Sequence, residues 1–139
     1  MSARRATDPD RFRRTRAAHR DETAEDYVEA IDELIERNGE ARVGDLAEMM
    51  GVSHVTVSRI VSRLCDEGLI QKKPHKPMAL TAKGRRLAQQ ARERHEVVYA
   101  FLRKIGVPAK QAAIDSEGIE HHVSNATIRA MRKVVGGKG

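Results

Sequence analysis

The segment Leu46-Ala47-Glu48-Met49-Met50-Gly51-Val52-Ser53 restricts the fold of this chain more than any other stretch. A small residue in one helix, a glycine behind it and a serine ahead of the next helix suit two helices that cross at a tight turn. Ala47 lets the helices approach closely, and Gly51 permits the positive φ such a turn often needs. Val52 is expected to plug the core, and Ser53 to satisfy free N–H groups where the next helix begins. That helix is predicted to run to Glu67, with Val55, Val57, Ile60, Val61 and Leu64 as its apolar positions and Gly68 as its stop.

The flanking patterns fit the same unit. A first helix is predicted from Thr23, capped in a box with Asp26, to about Asn38, with Tyr27, Val28, Ile31, Leu34 and Ile35 on one stripe. A second covers Val43 to Met50. After the third, Leu69–Lys73 and Met78–Thr81 read as two strands around a Pro74-His75-Lys76-Pro77 turn. Three helices and a basic hairpin are the parts of a winged helix-turn-helix. A long helix capped by Thr81 then extends to about Ile105, with Leu87, Ala91, Val98, Leu102 and Ile105 inward. Shorter helices are expected over Lys110–Asp115, Glu117–Val123 and Asn125–Val135. The chain is therefore read as mostly α. Residues 1–22, Arg-rich and poorly patterned, are expected to form a flexible basic arm that turns helical towards its end; residues 23–81 form the winged helix-turn-helix DNA-binding domain. Residues 82–135 form a helical domain, and 136–139 a disordered tail.

Composition removes other classes. No apolar run approaches the ~18 residues of a transmembrane helix. The basic start, Met1-Ser2-Ala3-Arg4-Arg5, leads into no apolar segment of a secretory signal. One cysteine, Cys65, forms neither an internal disulfide nor a thiolate cluster. A cytoplasmic protein is expected. The net charge of +6 hints at a polyanionic partner but hides an uneven distribution. Residues 23–40 hold seven acids and one base, whereas residues 82–106 hold seven Lys/Arg and two acids. Either the acidic face is solvated, or something cationic sits on it.

The third helix reads as the recognition helix, whose N-terminal residues face base edges in a major groove. Ser53, His54, Thr56, Ser58 and Arg59 are short or forked polar groups suited to that contact. Arg63, Lys72, Lys73 and Lys76 are expected at phosphates, which add affinity without sequence choice. Low aromatic content argues against binding single strands by stacking.

A second constellation has metal-ligand chemistry. Glu117, Glu120 and His121 are spaced i, i+3, i+4 and share one helical face. They chelate a divalent cation or form a solvated charged face. His95 falls on the inward stripe of the long helix, as a satisfied core histidine or a ligand. Asp26 and Glu29 lie opposite the apolar stripe of the first helix and, by periodicity, are surface carboxylates. Only something docking on that face would give them a role.

The residues Glu25-Asp26-Tyr27-Val28-Glu29, Glu93-Arg94-His95-Glu96 and Asp115–Ser124 resemble the diphtheria-toxin-repressor-like family of iron- and manganese-dependent repressors, its manganese transport regulators in particular. The resemblance covers about residues 20–130. It implies a winged helix-turn-helix joined to a helical dimerisation domain, with a metal pair between the first helix and the dimerisation helices. The implied ligands are Asp26, Glu29, His95, Glu117, Glu120 and His121. One ion would take Asp26, Glu120 and His121, the other Glu29 and His95, with Glu117 touching both. Carboxylates and imidazoles without thiolate suit Mn²⁺, or Fe²⁺ as the alternative. Iron-sensing relatives use Met and Cys where Asp26 and Glu117 stand. The implied function is a manganese-responsive repressor, not an enzyme, which binds double-stranded operator DNA as a homodimer and controls manganese uptake genes. The competing readings are an iron-responsive repressor, a metal-independent winged-helix regulator and a dimetal hydrolase. The hydrolase would need a substrate cleft and leaves the basic hairpin unexplained.

Overall fold

The computed structural model describes residues 10–136; the expectations for residues 1–9 of the arm and 137–139 of the tail lie outside the described residues. The chain is mostly helical. Its elements are α1 (Asp10–Asn38), α2 (Val43–Met50), α3 (His54–Asp66), β1 (Ile70–Gln71), β2 (Ala79–Leu80), α4 (Ala82–Lys104), α5 (Ala109–Ile119) and α6 (Asn125–Val135).

Helices α1 to α3 and the hairpin enclose one core. Tyr27, Val28, Ile31 and Leu34 of α1 meet Leu46, Val57, Val61, Leu64, Ile70 and Leu80 there. The turn between α2 and α3 is as the sequence demands. Gly51 takes φ 68°, and the Ser53 Oγ accepts from the Thr56 N–H at 3.1 Å. The strands pair antiparallel, Ile70 opposite Leu80 and Gln71 opposite Ala79. Met78 donates from its N–H to the Ala41 carbonyl, which ties the hairpin to the loop before α2. A second core forms where Val98 and Leu102 of α4 meet Ala112 of α5 and Ile128 of α6. Helix α4 is shared, since its Ala88 is buried in the first core. The cleft described below lies along that shared helix.

Several sequence expectations need correction. Helix α1 begins at Asp10, well before Thr23. Thr23 does not cap it; its hydroxyl donates to the His19 carbonyl one turn back, at 2.9 Å. The Arg- and Ala-rich residues ahead of it are good helix formers, which poor hydrophobic patterning concealed. Val52 and Val55 are not core: they are 39% and 76% exposed. At ~100° per residue Val55 lies opposite the Val57–Val61–Leu64 stripe. Ile105 is likewise exposed. The two short helices predicted over 110–123 are one helix, α5, which ends at Ile119. Ser116 does not break it, because its buried hydroxyl donates to the Ala113 carbonyl within the helix.

Candidate metal centre and nucleic-acid interface

Helix α1 presents Glu22, Glu25, Asp26, Glu29 and Glu33 on one face, opposite its apolar stripe. The end of α5 docks against that face. Just beyond the last turn of α5, Glu120 and His121 turn inward. Glu120 is only 3% exposed, and the His121 side chain also 3%. Glu120 and residues of α1, α2, α4 and α5 line a cleft of ≈ 430 Å³ whose walls include Asp26, Glu29, His95 and Glu117, with Met49 and Met50 of α2.

Within the cluster, His121 is bracketed by acids. Its Nδ1 lies 2.6 Å from Glu25 Oε2, and its Nε2 lies 3.0 Å from Asp26 Oδ1 and 3.4 Å from Glu120 Oε1. These hydrogen bonds to Asp26 and Glu25 outweigh its burial and raise its pKa to about 10. At neutral pH it is an imidazolium donating from both ring nitrogens. On the other side of Glu120, His95 Nδ1 approaches Oε2 to 3.1 Å. That approach lacks hydrogen-bond geometry, and Oε2 is a buried oxygen with no hydrogen-bond partner. Burial, then the neighbouring Glu29, lifts the Glu120 carboxyl to about 8. Burial, then Asp26, lifts Glu29 to about 7. A buried carboxyl oxygen that accepts no hydrogen bond, in a cleft of acids beside imidazoles, fits a divalent cation: the donors are oxygen and nitrogen, and the surplus is negative. Glu22, Asp26 and His121 also offer donor atoms that all lie within 4.8 Å of one another.

The structure thus brings Asp26, Glu29, His95, Glu117 and Glu120 to one cleft and sets His121 beside it. Sequence reading missed Glu22 and Glu25. Their signal was available: acids at 22, 25, 26, 29 and 33 recur with helical spacing. His122 lies outside the cleft and pairs with Glu22 at 3.3 Å.

Helix α3 stands with its first turn in solvent. His54, Ser58 and Arg59 are exposed there. Ser53 and Thr56 are engaged with each other: the Ser53 hydroxyl donates to Thr56 Oγ1 at 3.0 Å as well as capping the helix. The exposed Val55 adds a branched apolar surface of the kind that meets thymine methyl groups. Lys73 and Lys76 project from the hairpin, while Lys72 donates to the Lys73 carbonyl at 2.7 Å. Arg63 is turned inward, with Nη2 at 3.5 Å from the Arg20 carbonyl and Nε at 3.8 Å from Glu67. This places it against the α1 backbone, away from the exposed first turn.

Comparison with known proteins matches both halves. Residues 21–78 fit the iron-dependent repressor N-terminal DNA-binding domain, and residues 81–137 its metal-binding and dimerisation domain. The chain is 49% identical over 121 residues to the transcriptional regulator MntR of Escherichia coli O157:H7, covering 87% of this chain and 78% of that protein. The chain belongs to the iron-dependent repressor family. To the HTH-type transcriptional regulator MntR of Bacillus subtilis it is 45% identical over 101 residues, covering 72% of this chain and 70% of that one. The solved structure of the manganese regulator SloR superposes with a TM-score of 0.72 at 31% identity, over 83% of this chain and 54% of that one. The chain therefore spans about half the length of that solved regulator. This family member is a transcriptional regulator and not an enzyme. Among the described residues no helix is long and apolar enough to cross a membrane.

The shifted acids of this repressor-family cleft make its stability depend on pH. Glu29, Glu120 and His121 all hold protons more tightly in the fold than as free groups, whose values are 4.5, 4.5 and 6.5. A raised folded pKa stabilises below the unfolded value and loses that contribution as pH rises through the folded one. The contributions of Glu29 and Glu120 therefore fade from about pH 4.5 to about 7 and 8, and that of His121 from about 6.5 to about 10. The metal-free chain should melt lower at pH 9 than at pH 6, by roughly 5 °C or more. A melting temperature flat across that range would contradict it.

Proposed function

We propose that the chain is a manganese-responsive transcriptional repressor that binds operator DNA as a homodimer and controls manganese uptake genes in the cytoplasm. The observation that carries this reading is the buried Glu120 side chain, with one oxygen that accepts no hydrogen bond, in a cleft walled by further carboxylates and the His95 imidazole. Asp26, Glu29, His95, Glu117, Glu120 and His121 would hold the ion or ions, and His121 would release a ring proton as it did so. A bound divalent cation supplies positive charge where acids crowd. The donor types favour Mn²⁺ over softer ions, with Fe²⁺ as the nearest alternative. Selectivity against tighter-binding Zn²⁺ then rests on coordination number and availability.

The coupling to DNA follows from which elements meet at the cleft. Asp26 and Glu29 belong to α1 and Met49 and Met50 to α2, both of the DNA-binding unit. His95 belongs to α4, and Glu117 and Glu120 come from α5 and its end. Without compensation, the acids of the two halves repel. With their charge neutralised they hold the halves together, which fixes α2 and hence α3 relative to the partner subunit. DNA binding then costs less ordering entropy. A two-fold dimer would set its α3 helices into successive major grooves of a near-palindromic site. His54, Ser58, Arg59 and Val55 would meet base edges, and Lys73 and Lys76 phosphates.

The test is a fluorescence titration of DNA from upstream of a manganese-uptake gene, at fixed salt, with and without Mn²⁺. Affinity should rise by roughly 5–150-fold with the metal. Unchanged affinity would sink the reading. A response to Fe²⁺ alone would replace manganese by iron.

A further inference from the structure

Residues 94 and 95 are neighbours on α4, and they approach the same residue from two sides. His95 reaches the Glu120 side chain at 3.1 Å. Arg94, half-buried, reaches the Glu120 backbone: its Nε and Nη2 donate to the Glu120 carbonyl at 3.2 and 2.8 Å. The same guanidinium donates from Nη2 to the Val123 carbonyl and from Nη1 to Asn125 Oδ1 at 2.8 Å. One planar fork thus spans the turn from the end of α5 to the start of α6.

That turn has a particular need for it. The carbonyls at the C-terminal end of a helix lack helical partners and carry its negative pole. Here the residues at that end also carry the acids and imidazole of the cleft. Glu120 and His121 lie beyond Ile119, where no helical ladder holds them on both sides. The rigid fork of Arg94 takes over that task, and a flexible ammonium cannot reproduce its geometry.

We propose that Arg94 is a positioning residue for the metal response: it holds the turn bearing Glu120 and His121 in the arrangement that receives the cation, without ligating it. The role rests on the manganese reading above. It supplies a reason for the arginine that is independent of net charge, since its donors are spent on backbone and amide oxygens rather than on the acids of the cleft.

The experiment measures Mn²⁺ binding to the full chain, counting free ion by its six-line electron paramagnetic resonance signal. Arg94→Met and Arg94→Lys are compared with the unaltered chain. Metal-free melting is recorded alongside. Arg94→Met, which keeps the apolar stem, should bind Mn²⁺ about 10–100-fold more weakly. Arg94→Lys should recover part of that loss, because one charge still faces the carbonyls. If Arg94→Met does not fold, the lysine variant carries the test and should bind at least about 3-fold more weakly than the unaltered chain. Unaltered Mn²⁺ affinity in the folded variants, even with a lower melting temperature, overturns the proposal and leaves a merely structural arginine. Failure of the unaltered chain to bind Mn²⁺ overturns the manganese reading itself, and the positioning role with it.

Discussion

Glu120→Gln should raise the melting temperature of the metal-free chain at pH 8 while removing the further rise that Mn²⁺ produces. The two effects have opposite signs because they come from the same feature. Glu120 is a residue only 3% exposed, with no hydrogen bond to Oε2 and with Glu29, Asp26 and Glu25 all raising its pKa. Near its pKa of about 8 a substantial share is ionised, at a cost in burial and repulsion. Glutamine has nearly the same shape, carries no charge and offers two N–H donors to the surrounding acids. A gain of about 2–5 °C in melting temperature is expected. The same change deletes a charged donor from the cleft, so Mn²⁺ affinity should fall by about 100-fold or more. Operator affinity should then no longer respond to the metal. The competing view is that Glu120 is an anchor for His121 and His95, which lie 3.4 and 3.1 Å away. On that view the variant melts lower than the unaltered chain without metal. Differential scanning calorimetry at pH 8, with and without Mn²⁺, separates the two.

The helix-turn-helix was legible because short-range rules decide it. Gly51 and Ser53 serve the turn and cap their residue types suggest, and α2 runs from Val43 to Met50 as read from the sequence. Exposure at the tip of α3 was less legible. Val55 is apolar, and a count of apolar residues assigns it to the core; only its angular position puts it in solvent. At the cleft, spacing alone brought together Glu117, Glu120 and His121, yet the helix stops before the last two. Asp26 and Glu29 read as surface acids for a physical reason: periodicity reports a helix's own apolar stripe and knows nothing of what docks behind it. The family resemblance supplied that partner. Neither route reached Glu22 and Glu25: their spacing put them on the acidic face of α1, but that His121 would lie against it follows from how the turn after α5 meets α1.

Gly84→Ala is expected to cost about 3 kcal/mol or more and to lower the melting temperature by roughly 10 °C. Helix propensity alone argues the opposite. Gly84 sits in the first turn of α4, where alanine would gain up to about 1 kcal/mol. Space overrules propensity. A Cβ at Gly84 would lie 2.1 Å from the Leu69 carbonyl oxygen and 3.1 Å from its carbon. That carbonyl has little freedom to retreat. It accepts from the Thr81 N–H at 3.1 Å, and the Thr81 hydroxyl donates to the adjoining Gly68 carbonyl at 2.7 Å, with the Leu69 oxygen a more distant 3.2 Å away. Thr81 in turn caps α4 by accepting from the Gly84 N–H at 3.0 Å. The hairpin, the cap and the start of α4 are therefore one locked joint, and α4 is the helix that carries His95 to the cleft. If the chain accommodates the methyl by tilting α4, the fold survives but the donors separate, and Mn²⁺ affinity falls with stability. Thermal melting and Mn²⁺ titration of the same variant distinguish simple destabilisation from such a tilt. A Gly84→Ala chain as stable as the unaltered one would mean that the contact between α4 and the hairpin is looser than this close approach requires.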